Sequence, residues 1–106
     1  MTNETFERVM RDQLSYCESL LSVKNTEYKN DNDPDRFHNF RVAAELQGCT
    51  AKQALAGMMA KHSVSIYDMC QGGTYARDKW IEKITDNINY LVLLRGMIEE
   101  ENHADL

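Results

Sequence analysis

The chain has 106 residues, a length that suits a single domain, residues 1–106, with a modest hydrophobic core. Its formal net charge of −5 argues against sequence-independent nucleic-acid binding, which usually relies on a basic face. Its three cysteines lie far apart and the N-terminus lacks a signal-peptide pattern, so we expect reduced thiols and a cytoplasmic location.

A first helix is predicted over residues 3–24, followed by a polar loop over residues 25–34. The loop is longer than a compact helical bundle needs, and long loops often carry function. Asp31, Asp33 and Asp35 alternate as in a calcium-binding loop, but Arg36 and Val42 stand where that loop requires Gly and Glu. A solvated loop that caps the next helix is the preferred interpretation. The first helix has an apolar stripe at helical spacing, consisting of Phe6, Val9, Met10, Leu14, Cys17, Leu20 and Leu21.

A second, short helix is predicted over residues 35–47 and a third from Thr50 to about Cys70. Gly48 suits the left-handed position that ends a helix, and Gln53 follows Thr50 at the spacing of a capping box. The residues predicted to be buried on the second helix are Phe37, Phe40, Ala43, Ala44 and Leu46. Those on the third helix are Leu55, Met58, Met59, His62, Ile66 and Met69.

The fourth helix is predicted to begin between residues 74 and 77, and it carries two apolar sides. The side around Leu93 and Met97 is predicted to contact another subunit, because a helix that is apolar all round must be covered all round. Its apolar run 90–94 is far shorter than the roughly 20 residues of a membrane span. The sequence thus predicts an all-α bundle of about four helices, packed into a homo-oligomer of two or more copies. The other side is expected to face the first and third helices and consists of Trp80, Ile81, Ile84, Ile88, Leu91, Val92, Arg95 and Ile98.

Polar residues at the start of the second helix are the first candidates for ligand binding. His38 and Asn39 lie between Phe37 and Phe40. This arrangement either stacks a planar group such as a base or anchors the preceding loop to the core. Arg41 follows at once and can reach a phosphate, which arginine binds with two parallel hydrogen bonds.

The third helix carries a second group of candidates. His62 lies on the apolar stripe of this helix, so it is either a hydrogen-bonded core histidine or a ligand contact. Lys61 and Asp68 either take part in the same site or form an ordinary exposed charged face.

Glu82, Asp86 and Asn89 share one face of the fourth helix. This face is either solvated or holds a divalent cation, for which Mg²⁺ is the candidate, because Mg²⁺ takes one or two carboxylates together with substrate phosphates. A carboxylate beside an apolar surface needs a partner, and Lys61, His62, Arg41 or a metal can provide it.

Four segments of the chain are similar to small phage and prophage proteins that are grouped as nucleotide-modification-associated all-α domains. They read KNTEY (Lys24–Tyr28), DRFHNFR (Asp35–Arg41), AKQALAGMMAKHSVSIYDM (Ala51–Met69) and EKITDNINYLVLL (Glu82–Leu94). More distantly, the last of them resembles the final metal-binding helix of MazG-like and dUTPase-like all-α nucleoside triphosphate pyrophosphohydrolases.

The resemblance implies a helical, oligomeric, nucleotide-linked protein, with Glu82 and Asp86 matching the acidic metal-binding pair. MazG-like enzymes carry a further pair of glutamates in an earlier helix, and the only such pair here is Glu4 and Glu7. The resemblance therefore implies nucleotide binding as the first hypothesis for function, either without cleavage or as a degenerate or atypical pyrophosphohydrolase. The ligand is expected between the second, third and fourth helices, against Tyr28, His38, Asn39, Arg41, Lys61, His62, Asp68 and Asn89.

A second hypothesis is a phage-encoded inhibitor of a host defence system that acts by protein–protein binding in the host cytoplasm. Small size and acidic charge fit it, because an acidic surface can compete for a basic channel. A third hypothesis is a bundle whose only role is assembly.

The sequence contains no phosphate-binding loop, dinucleotide-binding fingerprint or zinc-protease motif, which leaves the catalytic residues unassigned.

Overall fold

The computed structural model describes the backbone of residues 1–28 and 35–103, and the side chains of residues 1–22 and 35–103. It contains the helices α1 (Asn3–Tyr28), α2 (His38–Gln47), α3 (Ala51–Gln71) and α4 (Arg77–Asn102). Within these described ranges there is no strand, so the all-α prediction is confirmed. The predicted loop residues Asp31 and Asp33 lie outside the described residues. None of the described helices is both long and apolar enough to cross a membrane.

The ends of α2 and α3 follow the local sequence. Gly48 ends α2 in the left-handed conformation, with φ 68° and ψ 38°, as predicted. Thr50 Oγ1 accepts a hydrogen bond from the Gln53 N–H at 3.1 Å, and Gln53 Oε1 accepts one from the Thr50 N–H at 2.9 Å. Both bonds of the predicted capping box are therefore present, and they satisfy two donors that the first turn of α3 would otherwise leave free.

The hydrophobic core lies where α2, α3 and α4 meet. Phe37, Leu55 and Met97 are buried at its centre, and Leu93 packs against them. The prediction that Leu93 and Met97 contact another subunit is therefore wrong, because they cover the core of their own chain. Leu46 was expected to be buried on α2, but it is 83% exposed.

The orientation of α4 differs from the one predicted from its apolar stripe, although Ile88 and Val92 of that stripe do line the groove with α1. The inward face carries Thr85, Asn89 and Met97, which are all buried, whereas Leu91 on the predicted inward face is 54% exposed. Gly96 permits this orientation, because a Cβ atom built there would lie 2.9 Å from Phe37 Cζ. Only a residue without a side chain lets the Phe37 ring approach α4 so closely, and the contact lies on the side of the helix that faces the core.

α3 runs antiparallel to α4, and α1 runs parallel to it. The direction of α3 follows from two contacts, His62 with Asp86 and Lys52 with Glu101. Gln13 Nε2 donates a hydrogen bond to Thr85 Oγ1 at 2.7 Å, which fixes the N-terminal half of the α1–α4 contact. Further along both helices, a groove of about 550 Å³ separates them, and its lining includes Leu14, Cys17, Leu21, Arg36, Ile88 and Val92.

Only part of the predicted apolar stripe of α1 is covered. Cys17 is buried, and Leu20 and Leu21 are partly buried. The first half of the helix is different, because Phe6 is 57% exposed and Val9, Met10 and Leu14 are also exposed. The periodicity therefore identified the correct face of α1, but α4 covers this face only from about Gln13 onward.

Candidate functional site at the contact of α3 and α4

His62 on α3 and Asp86 on α4 lie opposite each other across the helix contact. His62 Nδ1 is 3.8 Å from Asp86 Oδ2, and each side chain is 17% exposed. This distance is too long for a hydrogen bond, but it allows an ion pair when the imidazole is protonated. Among the partners predicted for a carboxylate on this face of α4, the structure thus brings His62 to Asp86.

Two further residues of α4 complete the surroundings of His62. The Tyr90 ring lies with its centroid 5.1 Å from that of His62, at an interplanar angle of 36°. Asn87 Nδ2 donates to the His62 carbonyl at 3.2 Å and to the Lys83 carbonyl at 2.8 Å, and Asn87 Oδ1 accepts from Ser63 Oγ at 3.2 Å. These bonds hold the two helices in register at the site.

Sequence reasoning missed Tyr90 and Asn87. Tyr90 follows Asp86 by one helical turn, so its spacing already placed the two on neighbouring positions of one face. The tyrosine was instead assigned to the apolar run that follows. Asn87 gave no comparable signal, because its bonds to Ser63 and the His62 carbonyl depend on how the two helices pack.

Asn89 is the most unusual polar residue of α4. Its side chain is only 4% exposed, yet neither Oδ1 nor Nδ2 has a hydrogen-bond partner among the described residues. Thr85, one turn earlier on the same face, is satisfied by Gln13. An unpaired buried amide costs about 1–3 kcal/mol, so such groups are rare in folded proteins and call for a specific explanation.

The remaining predicted residues of α3 and α4 are exposed. Glu82 lies one turn before Asp86, so the two carboxylates share a face of α4. Lys61 precedes His62, and Asp68 lies almost two turns further along α3. Among the described residues, no group of three or more His, Cys, Asp or Glu side chains is arranged to hold a metal ion.

The predicted residues of α2 lie elsewhere. Arg41 Nη2 donates to Glu100 Oε1 at 2.6 Å, and Arg41 Nε donates to Asp35 Oδ2, while the guanidinium lies over the Phe37 ring at 5.8 Å. The hydrogen bond from Arg41 holds the pKa of Asp35 below its usual value, against the opposing effect of burial. The same bond is the main reason why the pKa of Arg41 is raised.

The predicted ligand residues therefore fall into two groups. His38 and Asn39 are exposed at the start of α2, near the Arg41–Glu100 ion pair. Asp86 and Glu100 are separated by 14 positions of α4, which at 1.5 Å per residue is about 21 Å along the helix axis. The structure brings together His62, Asp86 and Tyr90, and it places Arg41 near the opposite end of α4. The side chain of Tyr28 lies outside the described residues.

Comparison with known proteins adds no relative to this picture. The chain matches no family model, and no curated protein or solved structure is detectably similar to it. The chemical character of the site is therefore read from its own residues: an imidazole beside a carboxylate and a tyrosine ring, and on the same helix as these last two a buried carboxamide with no hydrogen-bond partner among the described residues.

Proposed function

We propose that the chain is a nucleotide-binding all-α protein of the phage type, with its ligand seated beside His62 and Asp86 where α3 meets α4. The observation that carries the proposal is the buried Asn89 carboxamide, which lacks a partner within the described residues. A carboxamide offers a donor and an acceptor side by side, which is the pattern that pairs with the edge of a base. A ligand that supplies both partners would remove the cost of the unpaired amide.

The neighbouring groups fit the other parts of a nucleotide. The tilted rings of Tyr90 and His62 offer aromatic surface against which a base can stack. Lys61 is exposed beside His62 and carries a positive charge suited to a phosphate. Since these groups come from both helices, the site depends on the α3–α4 register that Asn87 maintains.

Glu82 and Asp86 are the residues that would hold Mg²⁺ in this proposal. They lie one turn apart on the same face of α4, and Glu82 is exposed, so its carboxylate is open to a cation. Mg²⁺ is commonly held by one or two protein carboxylates, with phosphate oxygens and water completing its shell. When bound, the ion would neutralise the phosphates of the ligand. The site would bind the nucleotide, and the residues named here are assigned no role in its hydrolysis.

The test combines ligand binding with stability in Asn89→Leu, a substitution of similar volume. Unfolding should show that the variant is more stable than the wild type by about 1–3 kcal/mol, because the substitution removes a buried amide that no described residue pairs with. In a thermal-shift screen of nucleotides with and without Mg²⁺, the wild type should be stabilised by at least one nucleotide. Asn89→Leu should lose this response.

His38→Ala is the matched control, since His38 lies at the other group of polar residues. It should respond to nucleotides as the wild type does, whereas His62→Ala should respond weakly. No stabilisation of the wild type by any nucleotide at saturating concentration would refute the proposal. An undiminished response in Asn89→Leu would show that the ligand binds elsewhere.

A further inference from the structure

The groove between α1 and α4 has the size of a small-molecule site. Its volume of about 550 Å³ lies within the roughly 300–1,000 Å³ that is usual for ligand pockets. The residues that line it come from α1, from α4 and from Arg36, which precedes α2. Gln13 and Thr85 hold the two helices together before the groove begins, so the space lies beside an established helix contact.

Most of the lining of this groove is apolar. Leu14, Cys17 and Leu21 come from α1, and Ile88 and Val92 come from α4. Cys17 is buried, whereas Leu14 is 55% and Val92 47% exposed, so the groove retains apolar surface that a ligand can cover. Removing such surface from water is favourable. The groove therefore suits an aliphatic or aromatic group rather than a polar one.

Two side chains of opposite charge, Glu18 and Arg36, lie in the same lining. Arg36 Nη2 donates a hydrogen bond to the Leu21 carbonyl at 2.9 Å, which holds the guanidinium against α1. Its other N–H groups have no partner among the described residues, and Glu18 forms no ion pair with Arg36 or with any other described cation. Each charge is therefore available to a ligand.

The spacing of these charges restricts the kind of ligand. Glu18 precedes Leu21 by three positions, which is about 4.5 Å along the axis of α1 at 1.5 Å per residue. A simple anion at Arg36 would meet the Glu18 carboxylate nearby, and a phosphate would be repelled more strongly than a carboxylate. A zwitterion avoids this repulsion, because its ammonium group can donate to Glu18 while its carboxylate accepts from Arg36.

We propose that the groove binds a free α-amino acid with a large apolar side chain, of the size of leucine or phenylalanine. Arg36 would bind the carboxylate with parallel N–H groups, and Glu18 would accept hydrogen bonds from the ammonium group. The apolar side chain would lie between Leu21 and Val92. Val92 is on a different side of α4 from Asp86, so this site is separate from the one proposed for a nucleotide.

NMR titration of the ¹⁵N-labelled full chain tests the proposal with a series of related ligands. Leucine or phenylalanine should shift the amide signals of residues 14–22 and 88–92 in a saturable way. Isocaproate lacks the ammonium group of leucine and isoamylamine lacks its carboxylate, so each should bind at least about tenfold more weakly than leucine. Glycine has both charges but no apolar side chain and should cause no saturable shift.

Two substitutions test the assigned roles of the charges. Arg36→Gln should weaken leucine binding by about tenfold or more but leave isoamylamine binding unchanged, because that ligand has no carboxylate. Glu18→Gln should weaken leucine binding to a similar extent without weakening isocaproate binding. Arg8→Gln is the matched control, since Arg8 is an exposed arginine of α1 outside the groove, with one hydrogen bond to Thr5. It should bind every ligand as the wild type does.

Several results would overturn the proposal. One is a wild type that binds neither leucine nor phenylalanine up to their solubility limits, and another is saturable shifts that lie outside residues 14–22 and 88–92. Isocaproate or isoamylamine binding as tightly as leucine would show that the two charges do not act together. So would leucine binding that neither Arg36→Gln nor Glu18→Gln weakens. If a variant unfolds, the ligand series on the wild type decides alone.

Discussion

The packing of Phe37 against Gly96 makes a prediction that reverses the usual effect of alanine in a helix. Replacing a glycine by alanine within a helix normally stabilises it by about 0.5–1 kcal/mol, because glycine loses more backbone freedom on folding. Gly57 in α3 is the reference, since nothing lies within 4 Å of a Cβ atom built there. We expect Gly57→Ala to raise the free energy of unfolding by this amount.

Gly96→Ala should lower the free energy of unfolding instead. The added Cβ atom would lie 2.9 Å from Phe37 Cζ, whereas carbon atoms at optimal separation are about 3.5–4.0 Å apart. Phe37 is buried and packed against Leu55 and Met97, so its ring cannot withdraw without disturbing the core. Overpacking of this kind costs about 1–3 kcal/mol, and the gain in helix propensity offsets only part of it. The net loss should be about 1 kcal/mol.

Chemical denaturation followed by circular dichroism measures both variants against the wild type, and their free energies of unfolding should differ by about 2 kcal/mol. Phe37→Leu provides a further check, because a smaller side chain leaves room for the new methyl group. In that background Gly96→Ala should be much less destabilising, which a double-mutant cycle records as coupling. A Gly96→Ala variant as stable as Gly57→Ala, or an effect of Gly96→Ala that Phe37→Leu leaves unchanged, would contradict the proposed clash with Phe37.

Three further predictions concern polar contacts. Thr50→Ala removes the side-chain acceptor of the capping box and should lower the free energy of unfolding by about 1 kcal/mol in the same denaturation assay, whereas an unchanged value would show that the cap contributes nothing. Thr85→Val leaves Gln13 without its acceptor in the α1–α4 contact and should cost about 1–2 kcal/mol; a neutral result would mean that solvent replaces this bond. The pKa of Asp35 is lowered in the folded state by Arg41, so its contribution is present above its ordinary pKa of 3.8 and is lost as the pH falls through the folded value. Asp35→Asn should therefore remove a contribution of about 1 kcal/mol or less at neutral pH and flatten the acid side of the stability–pH profile, and a profile that matches the wild type would contradict this account.

Local features of this fold could be read from the sequence, but long-range ones could not. The Thr50–Gln53 capping box and the left-handed Gly48 were predicted correctly, because each depends on residues only a few positions apart. The orientation of α4 was predicted wrongly. This helix has two apolar sides, and the more hydrophobic side was expected to face the core. The side that faces the core includes the close approach of Phe37 to Gly96, a contact between residues far apart in the chain that the local pattern does not reveal.

In the candidate site, too, some contacts could be predicted from the sequence and others depended on how distant parts of the chain pack. Asp86 was expected to need a partner, and His62 was among the residues named for it. The sequence could not show that Arg41 would instead bind Asp35 and Glu100, since that depends on where α2 packs along α4. Nor could it show that Asn89 is buried with no hydrogen-bond partner in the described part of the chain, because its burial follows from the orientation of the whole helix.

Because Cys17 is buried, the rate at which it reacts with a thiol reagent depends on motions that expose it. Cys70 is exposed and should react at once with a thiol reagent, whereas Cys17 is buried in the lining of the groove between α1 and α4, so its reaction should follow the opening of that groove. The alkylation rate of Cys17 relative to Cys70 therefore measures the free energy of that opening without denaturant. If α1 opens as an independent unit, this free energy should be smaller than that of global unfolding, and strengthening the core around Phe37 should leave it unchanged.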